Sequence, residues 1–325
     1  MLGSIVKVLL LMLCVAWRSA GGFHGTFNFV EEEIIEVEEG QVADVEGLAI
    51  DDLDEVDEHG KTPLMYAAIH AHWQAVKNLC TAGADSSLAL ADGTAALTMA
   101  AERGFSLTVK AMVDKCVKLD TNQMNKKGKS ALSAAVVGGF APVVEHLLDG
   151  GADANVQLRD DKSLLMVAAE PAIVALLIKH GANPNHADTS GNTPLMFAST
   201  LNETESVRAL LEANADPNAQ NRAGGTALMY AASRALGDVV RVLVEHGASV
   251  DVKDRFGSTA LQTAVEKEAG QACLDALMEV GADFRGTGVF PSKEVLAKRA
   301  LFIQTKKGRE VEAVLNMAKA GNRVL

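Results

Sequence analysis

One short phrase recurs seven times in this chain of 325 residues, and the spacing of its copies constrains the fold more than any single residue does. The phrase reads G-K-T-P-L-M-Y-A-A from Gly60 and returns from Gly93, Gly128, Asp161, Gly191, Gly224 and Gly257. The intervals are 33, 35, 33, 30, 33 and 33 residues. A fixed period of this size marks a solenoid, in which each unit is too small to bury a core alone and must stack on its neighbours.

Each copy has a physical reading. Thr62 can cap free backbone N–H groups, and Pro63 at the first helical position sacrifices only an N–H that would be unpaired anyway. Leu64, Ala67 and Ala68 follow at helical spacing, and the paired alanines permit close approach of a neighbouring helix. A second helix carries residues such as Val239, Val240, Leu243 and Val244, then stops at Gly247, where glycine tolerates the left-handed conformation of a helix terminator. About ten polar, turn-rich residues lead to the next copy. The predicted unit is helix, turn, helix and extended finger.

With T-P-L-M-Y-A-A, T-P-L-M-F-A-S and T-A-L-M-Y-A-A opening the first helices, and G-A-D, G-A-N-P-N and A-D-P-N after the second, the chain resembles the ankyrin repeat family. The resemblance implies an all-α fold, an ankyrin-repeat solenoid of stacked helix-turn-helix units with finger loops. It places repeats 1 to 7 over residues 57–290. The family's usual histidine after the leucine is Met65, Thr98, Ser133, Met166, Met196, Met229 and Gln262 here, which suggests an apolar stack in place of a hydrogen bond.

Two copies are irregular. The fourth is three residues short and carries Pro171, so a shortened or bent helix pair is expected there. The second has Cys116 where its terminator glycine belongs, which would cost about 1 kcal/mol if that residue were left-handed. Two extra residues before Gly128 are expected to lengthen the following finger. Ends of a stack need caps. Residues 41–56 read as a degenerate capping helix, and residues 291–325 as a helical hairpin closing the other end.

Charge is unevenly distributed. The chain carries a net charge of −12, yet residues 30–59 hold fourteen acidic and no basic side chains, and residues 292–325 hold eight basic and three acidic. Residues 23–40 read as an acidic, disordered leader. No nucleic acid is expected as a partner, since no domain is strongly basic. Before the leader, Lys7 precedes an apolar run from Val8 to Trp17 and then small residues at Ser19, Ala20, Gly21 and Gly22. That is the layout of a secretory signal peptide over residues 1–22, and the run is about half the ~20 residues of a transmembrane span. The alternative is an uncleaved N-terminus and a cytoplasmic protein. Cleavage would leave Cys80, Cys116 and Cys273, an odd number that cannot pair completely. Small buried hydrophobes at Cys80 and Cys273 and a loop thiol at Cys116 are expected.

Catalytic, cofactor and metal motifs are wanting. Lys127, Gly128, Lys129 and Ser130 resemble the end of a phosphate loop, but Gln123 stands where that motif needs its first glycine. His70 and His72 are two apart and share no helix face. The repeats consume nearly the whole chain, which leaves a binding role without enzymatic activity.

The resemblance implies that finger tips and exposed first-helix ends line a groove. By register these include His59, Lys61, His70, Arg103, Lys126, Lys127, Arg159, Leu201, Arg222, Arg234, Arg255 and Phe256. The expected partner is another protein, with an acidic surface suggested by the basic tips. Residues 31–39, in which acids alternate with aliphatics, are a candidate intramolecular occupant. Asn202-Glu203-Thr204 is a glycosylation sequon in a predicted turn. The rival reading is a structural spacer contacted through its ends and its basic C-terminal hairpin.

Overall fold

A computed structural model describes residues 53–285, 287–289 and 291–305. The segments expected to be a signal peptide and an acidic leader, most of the expected N-terminal capping helix and the second half of the expected C-terminal hairpin lie outside the described residues. The chain divides into two compact units, one ending at Asp153 and the other beginning at Ala154. The described residues are helical, with only the isolated bridges Ala89 to Ala95 and Gln157 to Ser163.

The first unit contains three helix pairs: α1 (Pro63–Ile69) with α2 (Trp73–Ala82), α3 (Ala96–Ala101) with α4 (Ser106–Lys115), and α5 (Ala131–Gly138) with α6 (Ala141–Asp149). First helices pack on first helices, and second helices on second helices. The core is the seam this stacking buries, with Leu64, Met65, Leu97, Leu132, Val76, Met112 and Leu147 inside. The expected caps are formed. Thr62 Oγ1 accepts from the Met65 amide at 3.3 Å, and Ser130 and Ser133 exchange hydrogen bonds as a capping box.

The second unit repeats the plan: α7 (Leu164–Val167) with α8 (Pro171–Lys179), α9 (Pro194–Ala198) with α10 (Thr204–Glu212), α11 (Ala227–Ser233) with α12 (Gly237–Glu245), and α13 (Ala260–Glu266) with α14 (Gln271–Glu279). A further helix, α15, spans residues 293–305. Met166, Met196 and Met229 are buried, as the apolar substitution for the family's histidine suggests. The fourth repeat is shortened at its first helix. The single turn α7 ends where Ala168 turns extended (φ −70°, ψ 110°), and Pro171 opens α8. Proline belongs at a first helical position, so the missing residues come out of α7 and not out of its partner.

The second repeat departs from expectation in three ways. Cys116 follows α4 directly, but its backbone is extended (φ −78°, ψ 118°), so the left-handed strain does not arise. The two extra residues lie between Cys116 and Asp120, not in the finger. The finger keeps the same turn as the first one, with Gly128 donating to the Asn125 carbonyl at 2.8 Å as Gly60 donates to that of Asp57 at 3.0 Å. Most consequentially, Cys80 and Cys116 are disulfide-bonded, their Cα atoms 4.5 Å apart. The extended detour after α4 carries Cys116 back onto the preceding repeat, a tertiary effect that no spacing rule reveals. Cys273 is buried and unpaired, as expected.

Candidate functional site

Five of the seven fingers are turns held by the side chain of their own first residue. In the first unit Asp57 Oδ1 accepts from the amides of His59 and Lys61, and Asn125 Oδ1 accepts from those of Lys127 and Lys129. In the second, Asp188, Asn221 and Asp254 do the same two and four residues on. A short side-chain oxygen at this position satisfies two backbone donors that would otherwise face solvent, which makes the tip rigid. Leu90 and Leu158 take the place in two fingers, and there the isolated bridges close the turn instead.

Main-chain bonds then stack one tip on the next. Lys126 donates to the Asp92 carbonyl at 2.8 Å in the first unit. In the second, Thr189 donates to Asp160 at 3.2 Å, Arg222 to Ser190 at 3.0 Å and Arg255 to Ala223 at 3.1 Å. The side chains of successive tips therefore project from a continuous backbone edge in the second unit, and from a shared edge of the second and third tips in the first. Gly224 permits the close approach, since a Cβ there would stand 2.9 Å from the Asp254 Cα.

Contacts from fingers to first helices mark the face they share. Lys129 Nζ lies 2.8 Å from Glu102 Oε1 at the end of α3, and Ser258 Oγ lies 3.4 Å from Glu266 Oε1 at the end of α13. Three half-buried aromatics of the first helices sit on that face: Tyr66, Phe197 and Tyr230. Lys61 stands 5.3 Å over the Tyr66 ring and Lys162 5.5 Å over the Phe197 ring. The Tyr66 hydroxyl donates to Asp57, which holds that carboxyl below its ordinary range. Asn221 Nδ2 donates to the Tyr230 hydroxyl at 2.8 Å and to Asn192 Oδ1 at 2.7 Å. The repeat register points to tips and helix ends and passes over these aromatics. Their signal was the Y, F and Y that follow the L-M pair in three copies.

The sequence-predicted residues take the following places. In the first unit, His59, His70, Arg103, Lys126 and Lys127 are exposed and Lys61 is half-buried against Tyr66. The His70 and His72 rings stack 6.1 Å apart, and burial followed by the charge of His70 pushes the His72 pKa down. In the second unit, Arg159, Arg222, Arg234 and Arg255 are exposed, Leu201 is 41% exposed and Phe256 is 89% exposed. Arg222, Arg255 and Phe256 come together on neighbouring tips. Leu201 and Arg234 stand just past the ends of their first helices, while Arg159 opens a short 3-10 turn. Among the described residues Arg159, Arg222 and Arg255 form no ion pair. Val137, at the end of α5 and 66% exposed, is a first-helix end the register had left out. Asn202 is exposed in the turn before α10, beside Leu201.

The basic side chains of α15 are partly committed inward. Lys298 pairs with Glu279 at 3.2 Å and with Glu294 at 3.1 Å, and Arg299 donates to the carbonyls of Ala282 and Gly281 while stacking on Phe284. The Arg299 bonds satisfy main-chain carbonyls in the turn that follows α14. No cluster of three metal-ligating side chains occurs among the described residues, and no described helix is long and apolar enough to cross a membrane.

Comparison with known proteins agrees with this architecture. Family models described as "Ankyrin repeats (3 copies)" match residues 74–157 and 138–221, and one described as "Ankyrin repeats (many copies)" matches residues 210–264. The chain is 34% identical over 154 residues to the B-cell lymphoma 3 protein homolog of Mus musculus, covering 45% of this chain and 34% of that one. It is 29% identical over 167 residues to alpha-latroinsectotoxin-Lt1a of Latrodectus tredecimguttatus, covering 50% of this chain and 11% of the toxin. The match thus spans about a third or less of these relatives' length. Among solved structures, the human ASB11 ankyrin repeat domain superposes with a TM-score of 0.56 at 24% identity, covering 71% of this chain and all of that one.

Proposed function

The chain belongs to the ankyrin repeat family, and from that premise we propose that it is a non-enzymatic protein-binding module whose partner presents an acidic segment with apolar side chains. Ankyrin repeats are generally protein–protein interaction modules. The observation that carries the reading is the pairing of unpartnered arginines on rigid tips with aromatics behind them. Arg222, Arg255 and Phe256 project from tips fixed by backbone bonds, and Tyr230 lies on the first-helix side. A rigid tip costs little entropy to engage, and arginine and aromatic residues are favoured binding anchors. In the first unit Lys126 and Lys127 supply the charge, and Ile69 and Val137 the apolar surface.

Residues 31–39 are proposed as an internal competitor for this surface, since their acid and aliphatic alternation matches the chemistry inferred for the partner. Deleting residues 23–40 should raise partner affinity, and unchanged affinity ends that idea. The spacer alternative, with the basic C-terminal hairpin as contact surface, is less favoured because Lys298 and Arg299 are engaged within the unit. We place the protein in the secretory pathway on the strength of residues 1–22, and N-terminal sequencing of protein from its native cell tests this. An intact Met1 would return it to the cytoplasm.

Affinity measurements on the full chain and its surface variants test the binding surface. Reversing charge on the tips should abolish capture of the partner without altering the fold, whereas reversing Lys293 and Lys306 on the hairpin should leave capture intact.

A further inference from the structure

A second periodic device recurs through the repeats, and it is missing from the first. In the first unit Asn122 accepts from the Asp153 amide at 2.7 Å and donates to the Gly151 carbonyl at 3.4 Å, binding its repeat to the next. In the second unit Asn155, Asn185 and Asn218 make the same double contact. Each accepts at 2.7 to 2.8 Å from the amides of Asn183, Asp216 and Ser249, and donates at 2.8 to 3.0 Å to the carbonyls of Gly181, Asn214 and Gly247. One side chain thus satisfies a donor and an acceptor left over at the following helix end. In the first repeat the residue at this register is Ser87. Its hydroxyl turns back to Asp85 at 2.6 Å, so it makes no double contact of this kind, and the link that remains is a single bond from Gln123 Nε2 to the Ser87 carbonyl at 3.1 Å.

At that same junction stands the disulfide. Cys80 lies inside α2 and Cys116 directly after α4, both buried. The two-residue enlargement of the second repeat occurs where Cys116 leaves the helix. It also leaves Val117 91% exposed, an arrangement that apolar packing would disfavour. The missing rung, the insertion and the cross-link therefore fall within one repeat interface.

We propose that Cys80–Cys116 is a maturation cross-link, installed in an oxidising compartment, that takes over the work of the asparagine rung absent at Ser87. In its formation the two thiols release two protons and two electrons as the S–S bond forms, while the disulfide of a thiol–disulfide oxidoreductase is reduced to two thiols. Cys273 is no competitor, because burial pushes its thiol up to about 11 and leaves it without a thiolate at neutral pH. The inference stands apart from the identity of the binding partner, and it predicts that the first repeat is held covalently.

The test uses the full chain from its native cell, with N-ethylmaleimide added at lysis to trap free thiols. The protein is then denatured in fresh N-ethylmaleimide and digested without reductant for peptide mass spectrometry. A linked Cys80–Cys116 peptide with maleimide on Cys273 is the expected result, and maleimide on both Cys80 and Cys116 overturns the proposal. Stability gives a second readout that needs no variant to fold. Reduction by a phosphine, verified by mass, should lower the unfolding temperature by on the order of 5–10 °C. A Cys273→Ser chain should show the same drop, and no drop on verified reduction would refute the structural role.

Discussion

Arg255 hands its main-chain N–H to the carbonyl of Ala223 at 3.1 Å, so the tip that carries Phe256 is registered on the preceding finger by backbone alone. Neither the Arg255 nor the Phe256 side chain takes part in that registration. Phe256 is 89% exposed, and an aromatic left in water has little to lose from truncation unless a partner covers it. Phe256→Ala should therefore leave the unfolding temperature within a degree or so of wild type. It should weaken partner binding about tenfold or more, measured by titration calorimetry.

The asparagine rungs make a different prediction. Asn218 satisfies the Ser249 amide and the Gly247 carbonyl in the next repeat. Asn218→Ala should cost about 1–2 kcal/mol in a denaturant titration, the loss expected when two backbone partners lose a hydrogen bond at a partly solvated site. Asn218→Asp keeps an acceptor for Ser249 and loses the donor to Gly247, so its loss should be no larger than that of alanine.

Turns between the paired helices use the left-handed region, and they use it with unequal comfort. Gly104 has φ +75°, and a Cβ on it would stand 2.7 Å from Phe140 Cδ1. Ala235 holds φ +60° at the corresponding turn in the second unit with its side chain in place. Gly104→Ala combines conformational strain with a ring clash and should destabilise by about 2–4 kcal/mol. Ala235→Gly should be neutral to stabilising by about 0.5 kcal/mol, since relief of strain exceeds the entropy glycine adds to the unfolded chain. Thermal unfolding of the two variants checks both signs.

Acid sensitivity follows from the carboxylates at the finger bases. Burial pushes the Asp188 carboxyl up, but hydrogen bonds from Asn192 and Ser190 outweigh it, and its pKa lies below the ordinary value. The Asp57 pKa is lowered by the Tyr66 hydroxyl. A depressed folded-state pKa contributes stability that is fully present above the unfolded value of about 3.9 and is lost as pH falls through the folded one. Asn125 and Asn221 do the same work without a charge. Asp188→Asn should therefore fold normally at pH 7 and lose less stability than wild type as pH falls below about 4.

Much of this was legible because the repeat writes its physics into residue type. Thr62 and Pro63 announced a helix start, Gly247 a helix end, and the short fourth copy an irregular helix pair, though not which of its two helices is clipped. The register also placed Arg222, Arg255 and Phe256 on tips. Cys116 was illegible in the way that mattered, since the backbone of an insertion decides which neighbour a side chain meets, and period alone counts the extra residues without locating them. The asparagine rungs were overlooked although Asn122, Asn155, Asn185 and Asn218 keep the period. Polar residues in turn-rich stretches read as solvated until their partners one repeat away are known. Tyr66, Phe197 and Tyr230 were passed over for a related reason. A half-buried aromatic on a helix counts as core until the fingers are seen to leave one edge open.

The central claim is that the basic finger tips engage an acidic partner. The most direct measurement compares the full chain with a Lys127→Glu, Arg159→Glu, Arg222→Glu, Arg255→Glu variant in affinity for the partner isolated from the native cell, with circular dichroism confirming that both fold alike. A loss of binding of about a hundredfold or more, accompanied by disappearance of its salt dependence, is the predicted result. Equal affinity in the two folded chains would contradict the account and move the contact surface elsewhere on the molecule.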